Sequence, residues 1–188
     1  MPCGTVRAGI GKRRPVVVSE GSDGSGRSVT IVSACLSGMP CRYDGRARPD
    51  KDVIDAVSSG QALPLCAEVL GGLPTPRPAA EIVGGDGHDV LDGRARVVSV
   101  NGDDLTDAFI AGAKAVADTA IAQGARRAIL QARSPSCGCG SIYDGTHSGV
   151  LQPGDGVVAA ELRRRGVHVE ERSGNSTAPS EPDQNPIF

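Results

Sequence analysis

A chain of 188 residues with 39% hydrophobic and 22% charged side chains has material for one domain with a real core, and too little for two comfortable ones. A net charge of −2 gives no general pull toward nucleic acid or an anionic membrane, and aromatics at 2% argue against base-stacking platforms. No apolar run approaches the roughly 20 residues that span a bilayer, so the expected compartment is the cytoplasm, where thiols stay reduced and clustered cysteines point to metal or catalysis rather than disulfides.

Residues 1–27 are rich in glycine, serine and arginine without sustained period, which suggests a mobile arm that carries Cys3. The folded domain is expected over 28–171, with a polar, proline-containing disordered tail over 172–188. Val29 to Ala34 reads as a strand running into Cys35, followed by a loop from Leu36 to Gly45. Pro49 to Ser58 reads as a short helix, with Val53, Ile54 and Val57 on one face and Gly60 closing it. The strand Ala62 to Leu65 runs into Cys66. Residues 67–78 look too rich in glycine and proline for regular structure, and so long an irregular segment is more often functional than idle. Between Glu81 and Ser99 a hairpin is expected, with His88 to Leu91 and Ala95 to Val98 flanking Asp92-Gly93.

The longest helix is expected from Thr106 to Gln123, where Phe109, Ile110, Ala113, Val116, Ala117, Ala120 and Ile121 form a stripe that Gly124 ends. Ala128-Ile129-Leu130 reads as a buried strand that opens into the glycine- and serine-rich stretch from Arg133 to Gly145. A helix over Asp155 to Arg165, stopped by Gly166, and a last strand Val167-His168-Val169 complete the pattern. Strands alternating with helices predict an α/β fold. It should be a mostly parallel open sheet flanked by helices, Rossmann-like, with a site at the carboxyl ends of the strands.

Cys35, Cys66 and Cys137 each lie just past the end of such a strand, so residues distant in sequence can meet as a three-thiolate site. No Cys-x-x-Cys pair of the zinc-finger kind occurs, and Cys137-Gly138-Cys139 is a lone close pair. Ligands drawn singly from separate loops suit an iron–sulfur cluster, in which an iron without a cysteine would be open to a soft sulfur atom. The residues alone also admit small buried thiols, a structural zinc or iron–sulfur module completed by Cys41 or Cys139, and a thiol–disulfide enzyme using Cys137 and Cys139.

Five blocks in order make the reading more specific. They are Ser33-Ala34-Cys35-Leu36-Ser37-Gly38, Cys41-Arg42-Tyr43-Asp44-Gly45, the run from Cys66 to Pro78, Arg133-Ser134-Pro135-Ser136-Cys137-Gly138, and Ile142-Tyr143-Asp144-Gly145-Thr146. Together they resemble the thiouracil desulfurase family over about 29–171. The resemblance implies a [4Fe–4S] cluster on Cys35, Cys66 and Cys137 with one iron free for the substrate's sulfur, and it matches Glu68 and Ser134 to catalytic positions. It implies conversion of a thiolated pyrimidine's C=S to C=O without net redox. Three positions depart from the family: Ala67 stands where proline is expected, Cys139 where a small residue such as serine is, and His147 where an aromatic is.

Beside the resemblance, Arg42, Arg77 and Arg133 are candidates for holding a substrate phosphate or carboxylate, and the Tyr43 ring can stack on a flat heterocycle. If residues 66–68 are extended, Cys66 and Glu68 share a face. The expected partner is a small thiolated base or nucleotide, with large nucleic acid disfavoured by the near-neutral charge.

Overall fold

A computed structural model describes residues 28–174; the expected arm 1–27 and all but the first residues of the expected tail lie outside the described residues. Strands β1 (Thr30–Ser33), β2 (Ala62–Leu65), β5 (Arg127–Gln131) and β8 (His168–Arg172) form one parallel sheet in the order β2-β1-β5-β8. The chain leaves β1 toward β2 on one side, while β5 and β8 add on the other. The carboxyl end of β1 is therefore a point where strand order reverses, the place where open α/β sheets form crevices.

Strand periodicity divides the side chains between two layers. Ile31, Ala128, Leu130 and Val169 enter the main core, with α4 (Thr106–Ala122) and α5 (Val157–Arg164) packed against them. Val32 and Ala62 face the other way, onto Val53 of α1 (Lys51–Ser58). Helix α1 starts where Asp50 accepts a hydrogen bond from the Val53 amide at 3.1 Å. The anticipated helices at 49–58, 106–123 and 155–165 are all present within a residue or two.

Three regions differ from expectation. The antiparallel pair inside 81–99 is β3 (Ala80–Val83) with β4 (Arg96–Ser99), while the stretch expected to be its first arm is helix α3 (Gly87–Leu91). The reason is local. Asp86 accepts from the amides of His88 and Asp89, and Asp89 accepts from the amide of Asp86, so a reciprocal cap starts a helix where a strand was anticipated. Residues 67–78 are not wholly irregular, because Ala67–Leu70 forms the one-turn helix α2. The short antiparallel pair β6 (Ser141–Tyr143) and β7 (Leu151–Pro153) has too few residues to show a period.

Strand β8 also runs one residue past 171. Arg172 pairs with Gln131 in the sheet, and its Nη1 lies 3.3 Å from Asp50 and 3.1 Å from Asp52. The buried cap of α1 is thereby tied to the last strand.

Two glycines allow α2 to lie against α4. A Cβ on Gly112 would sit 2.0 Å from the Ala67 carbonyl oxygen, and one on Gly71 would sit 2.1 Å from that of Ala108. Alanine at 112 would otherwise favour the helix by about 1 kcal/mol. We expect Gly112→Ala instead to destabilise the protein by roughly 1–3 kcal/mol in urea unfolding, the usual range for overpacking. Asp50→Ala, which removes both the α1 cap and an acceptor of Arg172, should cost about 2 kcal/mol in the same assay.

Candidate functional site

The site is built from the segments into which β1, β2 and β5 lead. After Ser33 the chain tightens into a turn of 3-10 helix, Ala34–Ser37, that buries Cys35 and ends at Gly38 in the left-handed region (φ 94°). Cys66 stands at the N-cap position of α2. Past β5, Arg133 takes a left-handed backbone (φ 62°), and the Ser134 hydroxyl oxygen accepts from the amides of Ser136 and Cys137, both at 3.1 Å. The Gly138 amide donates to the Ser134 carbonyl at 2.8 Å, and a Cβ at 138 would lie 2.7 Å from that oxygen. Only glycine lets this turn close so tightly. The turn aims Cys137 inward, toward the hydroxyl of Ser33.

The Cys41 thiol is in contact with those of Cys35 and Cys66, and Cys137 lies close enough to feel the charge of Cys66 and of Glu68. The mutual contact has consequences for ionisation. Hydrogen bonding to Cys35, followed by burial, pushes the Cys41 thiol up to about 11. Contact with Cys41 and then burial raise Cys66 well above the ordinary thiol range. Burial alone is the main reason Cys137 is pushed up to about 12, opposed by the Ser33 hydroxyl.

Cys139 is elsewhere. Its sulfur accepts from Arg163 Nη2 at 2.8 Å and approaches the Val169 carbonyl at 3.6 Å, so the two thiols of Cys137-Gly138-Cys139 serve different surroundings. Among the described residues no three His, Cys, Asp or Glu side chains gather tightly enough to hold a single ion. Soft sulfur donors spread over three loops suit a centre with several metal atoms better than one ion.

Glu68 enters this cleft from the first turn of α2, not from an extended segment; the anticipated shared strand face with Cys66 is replaced by the start of a helix. Burial raises its carboxyl pKa, and the neighbouring charges of Arg77 and Arg42 oppose that. Arg77 Nε and Nη2 both reach Glu68 Oε2 at 2.7 Å, while Nη1 donates to Pro74 O and Thr75 Oγ1 and Nη2 to Cys41 O. With every nitrogen on a protein acceptor and only 3% of its side chain exposed, Arg77 is a clamp on the loops that carry Cys41 and Glu68.

Arg42 is placed differently. Its guanidinium carbon lies 5.5 Å from the centre of the Tyr43 ring, and its buried Nε has no hydrogen-bond acceptor, with Asp44 Oδ1 at 3.5 Å. Arg133 is exposed. The Tyr143–His147 segment is held by buried Glu81, whose Oε2 accepts from the amides of Gly145 (3.0 Å) and His147 (2.9 Å). Sequence reasoning leaves Cys41 undecided and gives no role to Ser33. Both belong to this cluster because the Cys41 loop folds back onto Cys35, a contact that has no sequence period.

Crowded thiols and a buried acid beside a parallel sheet define an α/β protein with a candidate site for a soft metal centre. The chain belongs to the 2-thiouracil desulfurase family, whose model matches residues 30–173. It is 43% identical over 139 residues to the uncharacterized protein YbbK of Bacillus subtilis strain 168, covering 74% of this chain and 92% of that protein. Among solved structures it is similar to the [4Fe-4S]-dependent thiouracil desulfidase TudS, at 42% identity and a TM-score of 0.68, over 77% of this chain and 90% of that one. The expected family and the expected α/β architecture are thus both found.

Because Arg77 neutralises a buried carboxylate, Arg77→Gln should destabilise even the metal-free protein by roughly 3–5 kcal/mol, the usual cost of breaking a buried pair from one side. Chemical denaturation of wild type and variant measures it. Glu68→Gln, which removes the charge that needs neutralising, should cost less.

Proposed function

We propose that the protein carries a [4Fe–4S] cluster on Cys35, Cys66 and Cys137 and hydrolyses the thiocarbonyl of a small thiolated pyrimidine, converting C=S and water to C=O and hydrogen sulfide without net redox. The observation that supports this reading is the contact of the Cys41 thiol with Cys35 and Cys66, with Cys137 and a buried carboxyl group near Cys66, in a member of a desulfurase family. When bound, the cluster would supply an iron without a cysteine ligand as a Lewis acid for the thiocarbonyl sulfur.

This chain's own residues would do the rest. Glu68, with Oε2 held by Arg77, would take a proton from the attacking water and return one to the departing sulfur. The Ser134 hydroxyl oxygen already accepts two amides, which leaves its O–H to donate toward the cleft. Arg42 has a buried Nε in want of an acceptor, which a carbonyl oxygen of the substrate would provide, and Tyr43 offers a flat face beside it. Arg77 supports the reaction by positioning Glu68 rather than by touching substrate. Arg133, exposed at the rim, suits a nucleotide's phosphate. No described helix is long and apolar enough to cross a membrane, and a reducing cytoplasm is the setting that keeps such thiols available.

Anaerobic purification with iron and sulfide analysis is the first test. Serine at Cys35, Cys66 or Cys137 should abolish the cluster's visible absorption, whereas Cys139→Ser should leave it, since that thiol faces Arg163 instead. Loss of iron only in the Cys139 variant would overturn the ligand assignment. Glu68→Gln should keep its iron and bind 2-thiouracil while single-turnover sulfide release falls by at least about a hundredfold, the scale of general acid–base catalysis. Near-normal turnover would remove Glu68 from the chemistry.

A further inference from the structure

We propose that Ser33 and Ser136 are positioning residues for the cluster: their buried hydroxyls donate hydrogen bonds to the Cys137 sulfur, hold that thiolate on its iron and raise the cluster's reduction potential. This rests on the iron–sulfur reading of the site. Both hydroxyls meet the Cys137 thiol, one from the end of β1 and the other from the adjoining residue, and each serine is only 2% exposed. A thiolate has no proton of its own to give. Once Cys137 binds metal, the hydrogen in each contact must therefore come from serine.

The sheet imposes the direction of the first hydroxyl. Ser33 Oγ accepts from the Gln131 amide at 3.0 Å, where β1 pairs with β5, and that bond leaves its O–H free to point at sulfur. Ser136 is fixed through its backbone. Its amide donates to Ser134 Oγ at 3.1 Å, and its carbonyl accepts from the Val158 amide at 2.8 Å, at the start of α5. One donor thus stands on a strand end and the other on a braced turn, so both are in place before metal enters.

The neighbours of Cys137 explain why its sulfur needs two donors. The charged groups that act on it are Cys66 and Glu68, both of its own sign, and burial removes water. The Arg77 guanidinium is spent on Glu68, Pro74, Thr75 and Cys41. Cys66 is provided for differently, since it caps α2 and takes a hydrogen bond from the Val69 backbone. Hydrogen bonds that draw charge off a ligand sulfur favour the electron-richer state of a cluster, so the hydroxyls raise its potential and make it harder to oxidise. A site that hydrolyses its substrate without net redox gains by keeping its metal in one oxidation state.

The test is an anaerobic, mediator-coupled reduction titration of the full-length reconstituted chain, with iron and sulfide counted in every sample. Ser33→Ala and Ser136→Ala should each shift the one-electron equilibrium about tenfold, a midpoint potential lower by about 59 mV. Each should also speed iron release to a chelator about tenfold, the low end of what hydrogen bonds to metal ligands are worth. Ser33→Thr keeps the hydroxyl and should keep the wild-type potential. Wild-type potentials in both alanine variants, each fully loaded with iron, overturn the proposal while leaving the desulfurase reading intact. A loaded Ser33→Thr as low in potential as Ser33→Ala overturns it for Ser33, because the hydroxyl is then not the cause. If Ser33→Ala fails to fold or takes up no cluster, Ser136→Ala decides by the same measurement. A wild-type protein that takes up no cluster removes the desulfurase reading, and the proposal with it.

Discussion

The contact on which the site depends is the buried guanidinium of Arg77. One side chain joins Glu68, the carbonyls of Pro74 and Cys41, and the hydroxyl of Thr75, so loop positions that share no secondary structure are held in one arrangement. Desolvating an arginine is expensive unless its donors are filled, and here the acceptors fill them with 3% of the side chain left exposed. Glu68 is in turn kept from being a lone buried carboxylate. The pair specifies geometry as much as it contributes stability, and it links the acid to the loop that carries Cys41.

The sheet supplies the frame for that arrangement. Its strands are only four or five residues long, yet they are parallel and covered on both faces, so their carboxyl ends are fixed relative to one another. The Ser33 hydroxyl also accepts from the Gln131 amide at 3.0 Å, tying the ends of β1 and β5 together where Cys35 and the Cys137 loop depart. Helix α4 contributes from behind. Its Gly112 meets the backbone of α2 without an intervening side chain, which sets the depth at which Cys66 and Glu68 are presented. Cys35 and Cys66 thus inherit their positions from strands that end one or two residues earlier, and Cys137 inherits its own from the turn closed at Gly138.

Family membership and local detail complement each other here. The three positions where the resemblance led us to expect other residues have separate settings in the structure. Cys139 turns to Arg163 and Val169, and His147 is anchored through its amide on Glu81, so neither lies among the thiols that meet Cys35. Ala67 packs under α4 with 3% exposure, its carbonyl group lying against Gly112.

Sequence by itself determined the alternation of strands and helices, the split of Ile31 from Val32 across the sheet, the limits of α1, α4 and α5, and the placing of Cys35, Cys66 and Cys137 at strand ends. All of these come from periods of two and 3.6 residues and from breakers such as Gly60, Gly124 and Gly166, which are local signals. The helix at 87–91 is legible only in the capping pair Asp86 and Asp89, which a strand-like apolar pair, Val90-Leu91, overshadows. The proposed ligand set and acid are legible through motifs rather than through any period. Tertiary structure alone decided that Cys41 joins the thiols and Cys139 does not, that Arg77 is spent on Glu68 while Arg42 keeps a free buried donor, and that Arg172 reaches back to Asp50. Each of those outcomes is a contact between residues far apart in the chain or a choice among side-chain directions. Such contacts are selected by charge neutralisation and packing in the closed fold, and no stretch of sequence contains both partners.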